Sequence, residues 1–415
     1  MRIAANLALD ERVNELRGAG VDVLHLGFGE AGLPVYPGLV DALARGAERN
    51  AYGPVAGGVA ARESVAGYWS RRGTPTSADQ VVLAPGSKPL LAAVVACEPG
   101  DVVLPRPSWV TYASQVELFG RRAVWVDVPA GSGGIPDPAL LPGALARARE
   151  EGANPRLVVL TLPDNPTGLL ARPDEVKELC RVAEAEDLVV VSDEIYRDVV
   201  FGSVPFVSPA DLVPHRTITV TGLSKSLALG GWRVGAIRFP DTAWGHALRA
   251  RVVGFASQVW SNLAAPMQSV AQYAFDEPAD LVRHRDASTR LHGAVAMAVH
   301  DVFARHGTLD VAPDGAFYVY PDFERHRERL AAHGIRGGAD LARWLLDEHG
   351  LAVLAGAEFG DDPRGLRFRA ATSLLYGQTS QQRTEALTAP DPLQVPHVAA
   401  ALDRLDAVVA ATVSA

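Results

Sequence analysis

Apolar and polar positions along the chain fall into two textures. Through the middle, short runs recur that are apolar at nearly every position: VVLA (81–84), DVVLP (101–105), AVWVDV (123–128), LVVLTL (157–162), LVVVSDE (188–194), TITVT (217–221) and VGAIRF (234–239). Amphipathic stretches such as PDEVKELCRVAEAE (173–186) lie between several of them. Continuous apolar strands separated by helices predict a mostly parallel sheet buried on both faces. From about residue 280 the texture changes to long Arg- and Ala-rich helices around short strands, FYVYP (317–321) and LRFRAAT (366–372), which predicts a smaller α+β part. The opening stretch MRIAANLALDERVNELRGAG carries its apolar residues at helical spacing and predicts an amphipathic helix rather than a signal peptide. Residues 376–395 are polar with two prolines and predict a long loop, which either covers a site or decorates the surface.

Composition sharpens this picture in three places. A chain of 415 residues that is 48% hydrophobic can bury a core for two domains. A net charge of −9 without a basic block argues against a nucleic-acid or membrane-surface partner, and no apolar run reaches the length of a membrane span. With only Cys97 and Cys180 there is no disulfide framework, and a reducing cytoplasm is the expected compartment. Only three of the 39 basic residues are lysines, Lys88, Lys177 and Lys225, so candidate amine nucleophiles are few.

The candidate chemistry gathers just past the predicted strands, where open α/β folds bind ligands. In TGLSKSLALGGWRVG (221–235), Lys225 follows TITVT by four residues, and Arg233 precedes the next strand. A lysine there can form a Schiff base if its surroundings lower its pKa, and the arginine can hold a phosphate; a surface lysine and a structural arginine are the plainer alternative. Gly86-Ser87-Lys88 turns into a helix at Pro89, a geometry that presents backbone N–H groups to phosphate, although most such turns are only turns. Lys177 sits in an amphipathic helix as a solvated side chain. Asp193 ends a fully apolar strand, where a carboxylate needs a cation or donor, a protonated heteroaromatic nitrogen among the options and a helix cap the alternative. Asn165 stands in the Pro-bounded turn LPDNPTG, and Trp109 in PRPSWVTY can stack on a planar ligand or pack in the core.

Taken together, AYGPVAG, PGSK, PSW, DNPTG, SDEIY, the SK-to-Arg-to-Gly spacing, DGAFYVYP and LRFRAAT resemble the class I/II aminotransferases, fold type I enzymes that depend on pyridoxal 5′-phosphate. The resemblance runs over roughly residues 23–375. It implies a large cofactor domain over 45–285, with 1–44 and 286–415 forming the small domain, and a mostly parallel seven-stranded sheet. Residue by residue, Lys225 matches the Schiff-base lysine, Asp193 the partner of the ring nitrogen, and Asn165 and Tyr196 the donors to the phenolic oxygen. Trp109 matches the stacking aromatic, while Gly86, Ser87, Lys88 and Arg233 match the phosphate site. Arg367 matches the arginine that clamps the substrate α-carboxylate, and Gly29 in GFGEAG a backbone contact beside it. Tyr52 and Ser261 match residues that reach the neighbouring subunit's phosphate, which implies a homodimer with shared sites.

The implied activity is transamination between an amino acid and a keto acid; elimination, replacement or cyclisation on the same cofactor, as in aminocyclopropane-carboxylate synthases acting on S-adenosylmethionine, is the alternative. Gly222 stands where many relatives carry a hydroxyl, leaving Thr221 or Ser224 to serve the phosphate. Ser257 stands where relatives acting on dicarboxylates carry arginine, so a non-dicarboxylic substrate is expected.

Overall fold

The computed structural model describes residues 4–415. The first helix spans Ala5–Gly18 and is followed by a two-residue strand, β1 (Leu24–His25). The central sheet is then laid down by β2 (Val81–Ala84), β3 (Asp101–Arg106), β4 (Ala123–Asp127), β5 (Pro155–Thr161), β6 (Val189–Asp193), β7 (Thr217–Gly222) and β8 (Gly235–Arg238). Their order across the sheet is β2-β8-β7-β6-β5-β3-β4, parallel except for β8, which runs antiparallel to both neighbours. All seven strands fall where the apolar runs predict them.

These strands read as unbroken apolar runs because both faces are covered. Val102 and Leu104 pack on one side with Leu90, Val94, Leu248 and Val252; Val103, Val158 and Leu160 pack on the other with Leu141, Leu145 and Leu179. The polar side chains buried inside these strands are small, such as Ser192 and Thr219, and the charged groups stand at or beside the strand ends, where burial costs least.

After residue 240 the chain becomes mainly helical, and helix Ala279–Arg305 runs unbroken through the expected 285/286 boundary. The remaining strands are short: β9 (Tyr318–Val319), β10 (Leu351–Ala352), β11 (Leu354–Ala355) and β12 (Phe368–Ala371). They form a β11-β12-β9 antiparallel sheet, and β10 pairs in parallel with β1. Leu24, Leu26 and Leu33 therefore share one core with Val295, Phe303, Leu341, Phe368 and Leu405, so the start of the chain belongs with its end.

Residues 376–395 depart from expectation. They form a helix, Ser380–Thr388, and a 3-10 turn, Pro392–Gln394. Thr379 and Gln382 close a capping box at the helix start, and Ala386 and Val395 are buried in the C-terminal core. None of these residues lines the cavity described below, so of the two expected roles the segment takes the second, decorating the surface of the C-terminal part. Among the described residues, no helix is long and apolar enough to cross a membrane.

Candidate active site

The carboxyl ends of β2, β3, β5, β6 and β7 open into one cavity of about 480 Å³, closed on its other side by residues 28–30, Tyr318 and Arg369. Asn6 and Leu7 of the first helix also reach its wall. At its centre, Lys225 sits in the short helical turn Leu223–Ser226 directly after β7, and its Nζ donates to the Gly29 carbonyl. Burial, followed by the nearby Arg369 cation, lowers the amine to about 8, and Arg233 works in the same direction against Glu30 and Asp193.

Asp193 closes β6 and is buried. Its Oδ2 accepts from the Tyr112 hydroxyl at 2.8 Å, and its Oδ1 accepts from the Ile195 N–H at 3.3 Å. Burial pushes this carboxyl up to about 6, partly offset by those donors. Tyr112 is in turn fixed by the Thr161 hydroxyl at 2.8 Å. On the opposite wall Asn165 donates to the Tyr196 hydroxyl at 3.4 Å. Trp109 caps the helix Val110–Leu118 and stands edge-to-face with Tyr112 at 5.2 Å.

A second group of residues forms an anion cradle. Gly86 has φ +90°, and a Cβ there would collide with the Arg233 guanidinium; a Cβ on Gly235 would strike the Gly86 backbone. Bare backbone at both positions is what lets Arg233 lie against the turn before helix Ser87–Cys97. Arg233 itself is held at φ +58°, a left-handed conformation costly for a non-glycine residue, and bonds the Gly230 carbonyl at 2.8 Å. Ser87, Lys88 and Ser224 complete this wall, whereas Thr221 does not line the cavity.

Arg367, the expected carboxylate clamp, does not line the cavity, whereas Arg369, two residues on, does. Arg367 lies just before β12, faces away from the cavity and pairs with Asp361 at 2.9 Å. Of these two arginines Arg369 is the one in the cavity, fully surrounded, donating to Asn165 Oδ1 at 3.0 Å and to the Gly27 carbonyl at 2.7 Å. Its Nε is buried with no partner among the described residues, which suits an incoming anion. Arg367 and Arg369 are two positions apart in the run LRFRAAT that predicts one strand, so side-chain alternation could not separate them. The two-residue step is roughly 7 Å, enough to carry Arg367 to an edge that Asp361 neutralises.

Tyr52 and Ser261 stand outside this cavity. Tyr52 is 92% exposed, and Asn262 donates to the Gly53 carbonyl at 2.8 Å, tying their two loops together. Ser261 holds φ +66°, and Ser257 on the neighbouring helix Ala243–Val259 spends its hydroxyl on the Gly254 carbonyl. Lys177 is exposed on helix Pro173–Ala185.

The profile described as aminotransferase class I and II matches residues 21–374. The chain belongs to the class I and II aminotransferases. An aspartate aminotransferase of Geobacillus stearothermophilus is 31% identical over 392 residues, covering 92% of this chain and 95% of its own. A probable aspartate/prephenate aminotransferase of Aquifex aeolicus is 29% identical and covers 90% and 93%. In fold, the chain is similar to the aspartate aminotransferase of Thermus thermophilus with maleate, with a TM-score of 0.82 at 24% identity and coverage of 98% and 97%.

The cofactor of this aminotransferase is pyridoxal 5′-phosphate, and the residues present fit it. A buried acid with only neutral donors, Asp193, suits a cationic ring nitrogen; the Gly86–Arg233 cradle suits a phosphate; Lys225 suits the aldehyde. Four cations (Lys88, Lys225, Arg233 and Arg369) share the cavity wall with two acids, Glu30 and Asp193, so the site is built for anions. Several residues of this aminotransferase site escaped the sequence reading, Tyr112, Tyr318 and Arg369 among them. Tyr112 had a signal, since it lies one helical turn past Trp109 in the helix that follows β3.

Proposed function

We propose that this aminotransferase exchanges an amino group between an L-amino acid and a 2-oxo acid in the Lys225 cavity, with Lys225 moving the proton at the substrate α-carbon. When bound, the cofactor supplies an aldehyde that condenses with amines and a cationic ring that draws electron density from that carbon. An amine lowered to about 8 gives up and takes back a proton readily near neutral pH. Asp193 keeps the ring nitrogen protonated, with Tyr112 orienting its carboxylate. Arg233, Ser224 and the Ser87–Lys88 turn hold the phosphate, and Trp109 packs on the ring face. Asn165 and Tyr196 meet the phenolic oxygen. Arg369 takes the α-carboxylate through a planar fork whose Nε has no other partner. The carrying observation is the meeting of Lys225, Asp193 and Arg369 in one cavity.

For the substrate side chain we propose a second carboxylate. The relatives named above are aspartate aminotransferases, and the ammonium of Lys88, whose backbone belongs to the phosphate turn, is a further cation on the cavity wall, its Nζ 5.2 Å from the centre of the Trp109 ring. Burial, then Arg233, lowers the Lys88 amine, which an added anion would relieve. A neutral or aromatic substrate is the second reading, favoured by Ser257, whose hydroxyl offers no cation. The exposed Tyr52 and the strained Ser261 support a homodimer in which each copy completes its neighbour's phosphate site. The two unbridged cysteines suit a reducing cytoplasm.

The test mixes the cofactor-loaded protein with single amino acids, without keto acid, and follows conversion of the cofactor from its aldehyde to its amine form. Aspartate or glutamate should convert it with stoichiometric keto-acid release, and Lys88→Ala should lose that preference selectively. Conversion by neutral or aromatic amino acids alone would restore the second reading. Turnover that releases ammonia while the aldehyde form persists would count against transamination altogether.

A further inference from the structure

We infer that Tyr318 is a positioning residue: it donates to the Tyr196 hydroxyl, aims the Tyr196 proton at the cofactor's phenolic oxygen, and couples that donor to Arg369. The inference rests on the roles proposed above for Tyr196 and Arg369.

The geometry is fixed on every side. The Tyr318 and Tyr196 hydroxyls are 2.6 Å apart, and their rings meet edge-to-face at 5.6 Å. Tyr318 sits on β9, registered against β12 through its pairing with Ala371, and lines the cavity although it is fully buried. Its hydroxyl occupies the space over Gly29, where a Cβ would come within 2.5 Å of it. Gly29 is the residue whose carbonyl accepts from Lys225.

Donor and acceptor accounting sets the direction. A hydroxyl has one proton to give and two acceptor sites. Asn165 already donates to the Tyr196 oxygen. If Tyr318 donates too, both acceptor sites are filled and the Tyr196 proton is left for the cavity. Among the described residues Tyr318 has no other hydrogen-bond partner, so its own proton is uncommitted.

The reverse direction, Tyr196 to Tyr318, is favoured while no acceptor faces Tyr196. The Arg369 guanidinium lies 4.8 Å from the Tyr318 ring centre and attracts negative density there. An anionic oxygen at the cavity side of Tyr196 turns the pair around, and a carboxylate on Arg369 weakens the opposing pull. Arg369 thus reaches Tyr196 by two routes, through Asn165 and through Tyr318.

The test is a pH titration of the visible absorbance of the cofactor-loaded protein, in wild type, Tyr318→Phe, Tyr196→Phe and the double variant. Phenylalanine keeps the ring packing and removes only the hydroxyl. Loss of an oriented donor to the ring oxygen favours its protonated state, so Tyr318→Phe should raise the apparent titration midpoint by roughly one pH unit. If Tyr318 acts through Tyr196, the double variant should titrate like Tyr196→Phe alone. An unchanged midpoint in Tyr318→Phe, or two shifts that simply add, overturns the inference and leaves the transaminase reading intact. A wild-type protein that develops no visible band with pyridoxal 5′-phosphate overturns both.

Discussion

The central sheet and the small β11-β12-β9 sheet present their functional residues in different ways. In the first, the strand interiors carry apolar or small hydroxyl side chains, and the chemistry begins where that run stops: Asp193 at the end of β6, Lys225 one turn past β7. In the second, β12 is four residues long and carries one arginine, Arg369, which is in the cavity, with another, Arg367, just before its start and at the edge. A strand covered on both faces fixes its own ends through the cost of burying a polar group. A short strand at a cavity rim is placed by what surrounds it, and its sequence holds less of the answer.

The largest expected effect tests the first region. Lys225→Ala should lower kcat by at least roughly 10²–10⁴-fold, with arginine unable to restore it; steady-state rates of the cofactor-loaded variants decide it. Next comes the pair that separates the two regions. Arg369→Ala removes charge-assisted hydrogen bonds to an anion and should reduce kcat/KM by about 10²-fold or more, mostly through KM. Arg367→Ala breaks a partly buried ion pair outside the cavity and should leave kinetics within about threefold. If Arg367→Ala proves the damaging change, the contrast drawn above is gone.

A smaller effect concerns pH. In the cofactor-free protein, Asp193 binds its proton more tightly folded (about 6) than its ordinary carboxyl value. The cost of its buried charge is therefore fully present at neutral pH and is relieved as pH falls through about 6 toward 4. Asp193→Asn should flatten that part of the melting-temperature profile, and adding cofactor to the wild type should reverse its slope. The smallest effect belongs to the C-terminal part. Thr379→Ala removes the helix cap, should cost about 1 kcal/mol of unfolding free energy, and should leave turnover unchanged, as denaturation and activity measured side by side would show.

Much of the fold was legible because periodicity survives where burial is continuous, as in all seven central strands. The helix Ser380–Thr388 was missed because only one of its residues, Ala386, is fully buried, so no apolar stripe marks it. Its capping box was visible as Thr379 and Gln382. Among the candidate site residues, Lys88, Trp109, Asn165, Asp193 and Lys225, which end or follow strands, all line the cavity, since a strand end is a position that sequence can fix. Tyr318 had a weaker signal: in FYVYP, Tyr318 and Tyr320 alternate with Phe317 and Val319, which assigns a face but not a neighbour. The Tyr196 contact comes from a segment 122 residues away, and no local pattern encodes it. That Arg369 lines the cavity while Arg367 pairs with Asp361, a partner outside the strand, is likewise written in no local pattern.

The scarcity of lysine has a practical side. Of the chain's three lysine amines, two are in the catalytic cavity, and Lys177 alone stands in solvent, on a helix that contributes nothing to that cavity. A bulky acylating label applied at moderate pH has that one side-chain handle on the outer surface, so a dye or a solid support attached there would leave the enzyme's entrance clear. A small carbonyl reagent would take the opposite course and go to the interior, where the amine with the lowered proton affinity waits.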